Sequence, residues 1–280
     1  MSVRRTSLPL VQVAPGNVEV LAFLGLAFAI GWPLMLAPRS AVASDVVAWV
    51  PGIVALLILA RGSLRHLPRR IALDRLGWPD AYLFAIWVPV LFVVGRIAIV
   101  VALRAGSLDA NVGGLHPASG APPTFGAMEQ LVSAVLLAPF AQLAVTLGSE
   151  LGWRAFLLPR LLPFGTWPAI TGTSLLWWAW QLPRVIDPRS PQWPVDAVAF
   201  LFWSLFVGEI LAWLYLRTRS VWAPALFSAV LATTAYLPSL VLRDLSPDAA
   251  SPFGPAALII PALVVLLIRQ RSEGEVRVGV

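Results

Sequence analysis

Eight stretches of this chain are apolar over 15 to 23 residues, and that pattern constrains the fold before any motif is read. They run roughly Val20–Leu36, Val46–Ala60, Ala81–Leu103, Leu131–Leu147, Trp167–Leu182, Ala197–Leu216, Val221–Leu242 and Phe253–Ile268. A bilayer core of roughly 30 Å is crossed by about 20 apolar residues in a helix. Val46–Ala60 and Phe253–Ile268 are shorter and need tilt or polar flanks to span. Inside hydrocarbon a backbone must satisfy its own N–H and C=O groups, and apolar runs of this length do so as helices. Composition agrees: 59% of residues are hydrophobic and 12% charged, with mean hydropathy +0.81. A soluble domain carries about 25% charged residues. The expectation is an all-α, polytopic integral membrane bundle of about eight transmembrane helices. Residues 19–270 form one transmembrane domain, between an N-terminal segment 1–18 and a solvated tail 271–280.

All 20 basic residues are Arg, and their placement predicts an orientation. With the N-terminus inside, that side receives Arg4, Arg5, Arg61, Arg65, Arg69, Arg70, Arg75, Arg154, Arg160, Arg217, Arg219, Arg269, Arg271 and Arg277. The opposite side receives Arg39, Arg104, Arg184, Arg189 and Arg243. Fourteen against five favours a cell-membrane protein with both termini cytoplasmic. The net charge of +6 is thus absorbed by topology, and no nucleic-acid partner is implied. Arg4-Arg5, the first apolar run and Ala41-Val42-Ala43 also have the outline of a signal peptide. That run is long for the purpose and the rest of the chain is equally apolar, so the first span is expected to be retained. The loop Ala105–Phe125, rich in Gly, Pro, Ala and Ser, reads as a flexible external segment. Without Cys, no disulfide, thiolate nucleophile or thiolate metal site is possible.

Ionisable groups within a span face a protein interior or water and are functional candidates by default. Here they are Arg96, Glu150, Arg154 and Glu209. Glu150 and Arg154 stand four residues apart with the Glu first, the favourable order for a helical ion pair. Spacing leaves two readings open, a charge-neutral strut or a carboxylate oriented for catalysis; the strut is the plainer. Arg96 and Glu209 offer compensation across a helix interface, with Arg217 and Arg219 as other partners for Glu209. Trp177, Trp178, Trp180 and Trp193 read first as a membrane-interface belt, and only second as a cavity lining. The basic segment Arg61–Arg75 allows contact with anionic lipid head groups, although topology alone already places Arg there. Pro33, Pro51, Pro89, Pro139, Pro224 and Pro261 predict kinks within spans.

Three stretches carry a family resemblance. GSELGWRAFLLPRL at 148–161 resembles the first motif of the CAAX prenyl-protease and bacteriocin-processing (CPBP) family of intramembrane proteases, Gly-Glu-Glu-x-x-x-Arg with a Pro-Arg-Leu continuation. LLWWAWQLPRVI at 175–186 is similar to its second motif, Trp-Ala-x-Trp-His-Leu-Pro. LYLRTRSVWAPALFSAVLAT at 214–233 is similar to its third region, where a span carries His-x-x-x-Asn. The resemblance implies an intramembrane-protease fold with its core over about residues 125–240, and a prenylated or membrane-inserted peptide as substrate class.

The same resemblance implies a degenerate site. Where the family has the Glu that activates water, this chain has Ser149. The second-motif His is Gln181, and the third-motif His and Asn are Ser228 and Ala232. Glu150 and Arg154 are retained. Counted at about 1.5 Å per residue, Ser149 lies roughly 16 Å from Arg160, Gln181 roughly 22 Å from Thr166 and Ser228 roughly 12 Å from Ser220. These depths overlap, so Ser149, Gln181 and Ser228 are expected to share a polar cavity. Such groups hold hydrogen bonds or water but offer no base for proton abstraction near neutrality. His66 and His116 fall in loops on opposite sides, and no metal or cofactor is implied. The leading expectation is a non-hydrolytic homologue that binds a membrane peptide, a lipid or a partner helix. An active endopeptidase is the second reading and a transporter the third.

Overall fold

The structure, a computed structural model, describes residues 17–37, 41–61, 64–109, 129 and 132–278. Arg4, Arg5, Arg39, His116 and most of Ala105–Phe125 lie outside the described residues. The long helices are α1 (Asn17–Leu36), α2 (Ala41–Leu59), α3 (Pro79–Ala102), α4 (Ser133–Phe164), α5 (Thr166–Val185), α6 (Trp193–Thr218), α7 (Trp222–Thr234) and α8 (Pro255–Val278). Each predicted apolar run falls on one of them. Among the described residues, five helical stretches are long and apolar enough to cross a membrane: Val18–Leu36, Pro79–Ala102, Ser133–Phe164, Trp193–Thr218 and Trp222–Val241, the last of them α7 with the short helix that follows it. Asp45–Leu59 is apolar but shorter. The protein is a multi-pass, all-α membrane protein.

The packing order is not the chain order. α1 packs on α2, α2 on α4, α4 on α7, α7 on α3, α3 on α8, α8 on α6, α6 on α5 and α5 back on α1, which closes a ring. Contacts of α6 with α7, and with the 151–157 stretch of α4, fill the middle of that ring. Short strands β1 (Ser107–Leu108) and β2 (Leu242–Arg243) pair antiparallel and bring the end of α3 to the segment after α7. An Arg243–Asp109 ion pair reinforces the junction.

Two local features of α4 follow from its sequence. Its backbone widens from α to π over Ser133–Leu137 and again over Leu151–Leu157. Both stretches lie immediately upstream of a proline, Pro139 and Pro159. A proline cannot donate to the carbonyl four residues back, and its ring crowds that carbonyl. Here those carbonyls belong to Val135 and Ala155, inside the widened stretches. A π segment relieves the clash without breaking the helix. Gly148 and Gly152 then set how closely α2 approaches: a Cβ on Gly148 would run into Trp49, and one on Gly152 into Pro51. Small residues four apart let helix backbones touch within a membrane.

Three expectations about helix ends need correction. Pro224 sits in the first turn of α7, where its missing N–H is no loss, so it makes no kink. The seventh span does not continue as one helix; α7 ends at Thr234 and a short helix, Leu237–Val241, follows with Pro238 in its first turn. α8 continues as helix to Val278, through most of the stretch read as a solvated tail.

Candidate functional site

The ring encloses a cavity of about 350 Å³. Into it α4 projects Gln142, Thr146, Ser149 and Glu150; α5 projects Trp177 and Gln181; and α7 projects Ser228 and Ala232. Phe92 and Val93 of α3, Trp203 and Val207 of α6, and Phe253 before α8 complete a mostly apolar wall. The structure thus brings Ser149, Glu150, Gln181, Ser228 and Ala232 to one place, although they come from three helices. Two of those helices, α4 and α7, pack directly on each other, and α5 packs on the 151–164 end of α4.

Glu150 is 2% exposed and Arg154 1% exposed. Arg154 Nη1 donates to Glu150 Oε1 at 3.4 Å, while Arg154 Nε stands 3.3 Å from Oε2. The second contact is close enough for charge pairing but is not aligned as a hydrogen bond. Ser228 Oγ donates to Glu150 Oε1 at 2.9 Å, tying α7 to α4. The Arg154 guanidinium also lies 5.0 Å from the centre of the Trp177 ring. This arrangement neutralises the charges but leaves spare capacity. Glu150 Oε2, Arg154 Nε and Nη2, and Gln181 Oε1 are buried without a hydrogen-bond partner. Buried polar atoms are ordinarily satisfied, and exceptions cluster where water or a ligand completes the set.

The other intramembrane charges pair differently from the sequence expectation. Glu209 has a partner that the sequence reading did not name. It accepts two hydrogen bonds from Arg269 of α8, from Nε at 2.8 Å and Nη2 at 2.6 Å. Arg96 Nη2 instead donates to the carbonyls of Ala249 and Ser251, at 2.9 and 3.0 Å. Arg160 is held by Glu19 of α1 through Nε at 3.0 Å and Nη2 at 2.7 Å.

The tryptophan cluster is also corrected in part. Trp180 is fully buried and its Nε1 donates to the Ala27 carbonyl at 3.2 Å. Trp177 is buried beside Arg154 and lines the cavity. Trp178 Nε1 donates to the Ala197 carbonyl at 3.1 Å, binding α5 to α6. A belt would leave these N–H groups at the head-group level; here backbone carbonyls of neighbouring helices take two of them. Sequence reading missed the placing of Arg96 and Arg184 among the cavity residues. The signal was present only for Arg96, an unexplained charge within a span. His66 is exposed in the segment between α2 and α3, remote from the cavity.

Residues 131–234 match the family model described as type II CAAX prenyl endopeptidase, Rce1-like. The matched stretch takes in α4 to α7, the helices that carry all six motif positions. No curated protein gives a match.

Proposed function

We propose, on the premise that residues 131–234 belong to the Rce1-like CAAX prenyl endopeptidase family, that this protein uses the family scaffold to bind a membrane-embedded ligand rather than to cut one. Glu150 carries the reading. Among the described residues that line the cavity it is the one carboxylate, and Arg154 and Ser228 already engage it. Amide hydrolysis within a bilayer needs a base that makes hydroxide and donors that hold the developing oxyanion. Ser149, Gln181, Ser228 and Ala232 supply hydrogen bonds at most, and none is a base near neutrality. What persists is a concave, largely apolar site with a few convergent polar groups, the usual form of a ligand pocket. The occupants it fits are a membrane peptide, a lipid or a partner helix, and its setting is a cell membrane with both termini cytoplasmic.

The second reading, an active endopeptidase, draws on the same carboxylate. Glu150 borders the cavity and has an oxygen without a hydrogen-bond partner, so among the described residues there it is the one available general base. Purified protein incubated with prenylated and transmembrane peptides separates the two. No cleavage is expected, and Ser149→Glu alone restores none. Combining Ser149→Glu, Gln181→His, Ser228→His and Ala232→Asn is the test of a preserved scaffold. Turnover by the unmodified chain that disappears in Glu150→Gln would make Glu150 the base and end the binding-only reading.

A further inference from the structure

The cavity is not centred between the two ends of the bundle. On these six helices its lining residues come from the C-terminal halves of α3, α5 and α7 and from the N-terminal halves of α2, α6 and α8, with Val207 just past the middle of α6. All six helices therefore place it towards the end where α3, α5 and α7 stop and α6 and α8 begin. The β1–β2 pairing independently joins the end of α3 to the segment after α7 at that end. Towards the other end the ring is plugged. Leu151–Leu157 of α4 is buried at every position and packs on α2 and α6. Among the described residues, the cavity thus lies away from the plug, towards the end where α3, α5 and α7 stop.

The arginines identify that side. The segment Arg61–Arg75, Arg217 and Arg219, and Arg269 and Arg271 all lie at the plugged end. Arg104, Arg189 and Arg243 lie at the opposite end, where α3 and α5 stop and the segment after α7 runs, and Arg184 lines the cavity. Arg excess marks the cytoplasmic side. We infer that the cavity opens to the extracytoplasmic side and receives the extracytoplasmic end of a membrane-anchored polypeptide. The ligand class follows from what the cavity lacks. Glu150 Oε2 and Gln181 Oε1, of residues lining the cavity, accept no hydrogen bond, and Arg96 Nε in the same lining donates none, so the ligand must offer both donors and acceptors, as a peptide backbone does. Peptide N–H groups supply such donors, while Phe92, Trp203 and Phe253 take the apolar side chains. A hydrocarbon tail would leave both acceptors unmet. This inference rests on the binding reading, but it is tested separately.

Because the chain has no Cys, single cysteines report cleanly. Ala232→Cys and Ala235→Cys place thiols at exposed positions on the cavity lining, and Arg61→Cys marks the plugged end. A membrane-impermeant maleimide should label both cavity thiols in right-side-out vesicles at least tenfold faster than in inverted ones. Arg61→Cys should show the reverse. Cavity labelling only from the inverted side, or only by a permeant reagent, overturns the sidedness while leaving the binding reading intact. A capped apolar peptide, N-acetyl-Leu-Val-Phe-amide, added outside should slow labelling of Ala232→Cys severalfold, and its N-methylated analogue should not. Equal protection by both, or by neither, overturns the assignment of a peptide that donates from its backbone.

Discussion

Two buried glutamates in this bundle are paired with arginine, and the pairs differ in nearly every physical respect. Glu150 and Arg154 stand on one helix, both essentially out of reach of solvent, with imperfect alignment and several atoms lacking a partner. Glu209 and Arg269 join α6 to α8, with both carboxylate oxygens met by parallel N–H donors at 2.6–2.8 Å. Glu209 is 7% exposed but Arg269 is 48% exposed. The bidentate pair is a saturated clamp at one end of the bundle. The other has hydrogen-bonding capacity left over, and a cavity lies beside it. Spacing gave the first pair and not the second; only geometry separates a strut from a group kept available.

The largest effect expected is on the motif pair. Removing either partner of Glu150–Arg154 leaves a buried charge without its counter-ion, so Glu150→Ala and Arg154→Ala should each destabilise by about 3–5 kcal/mol. Thermal denaturation of the detergent-solubilised protein measures this, and the two variants should fall by similar amounts. If both melt like the parent, the pair does not hold α4 in place and the comparison collapses.

The clamp should respond asymmetrically. Arg269→Ala leaves Glu209 buried without its partner, an unsatisfied-acceptor penalty of about 1–3 kcal/mol. Glu209→Ala leaves a half-exposed guanidinium that still lies over the Trp167 ring, and should lose about 1 kcal/mol or less, as exposed pairs do. Equal losses would mean that Arg269 is more deeply held than its exposure shows. A smaller loss for Arg269→Ala than for Glu209→Ala would reverse the assignment of the buried partner.

How much of this was legible in the sequence depends on how far apart the partners lie. The eight apolar runs, and the Glu150–Arg154 pairing within a single helix, are local periodicities and could be read directly. The grouping of Ser149, Gln181 and Ser228 was legible because motif order and helical rise fix depth within a span. The match over 131–234 agrees with the family read from those motifs. Glu209–Arg269 was not legible: the partners are 60 residues apart, and their meeting depends on α8 closing the ring beside α6. Trp177 and Trp180 were misplaced for a related reason. An amphipathic ring suits a membrane interface and a helix–helix contact equally well, and only the nearby Ala27 carbonyl and Arg154 guanidinium decide between them. The Ser228 bond to Glu150 was likewise hidden, because a depth argument does not give the rotation of α7.

That bond provides the smallest expected effect and the finest test of the contrast between the pairs. Ser228→Ala removes the donor to Glu150 Oε1 and leaves only the 3.4 Å contact from Arg154 Nη1 on that oxygen. In a closed core this would expose the full penalty of an unmet carboxylate oxygen. Beside a cavity of about 350 Å³, a water can take the place of the hydroxyl. The loss should therefore stay near the net value of an ordinary hydrogen bond, about 0.5–1.5 kcal/mol. It should also be smaller than the loss from Arg269→Ala. Ser228→Thr should keep the hydroxyl and recover most of the loss if the added methyl is accommodated in the cavity. A drop for Ser228→Ala as large as that for Glu150→Ala would show that no water reaches Glu150, and the spare capacity at the motif pair would then be a sealed defect with no access for a ligand.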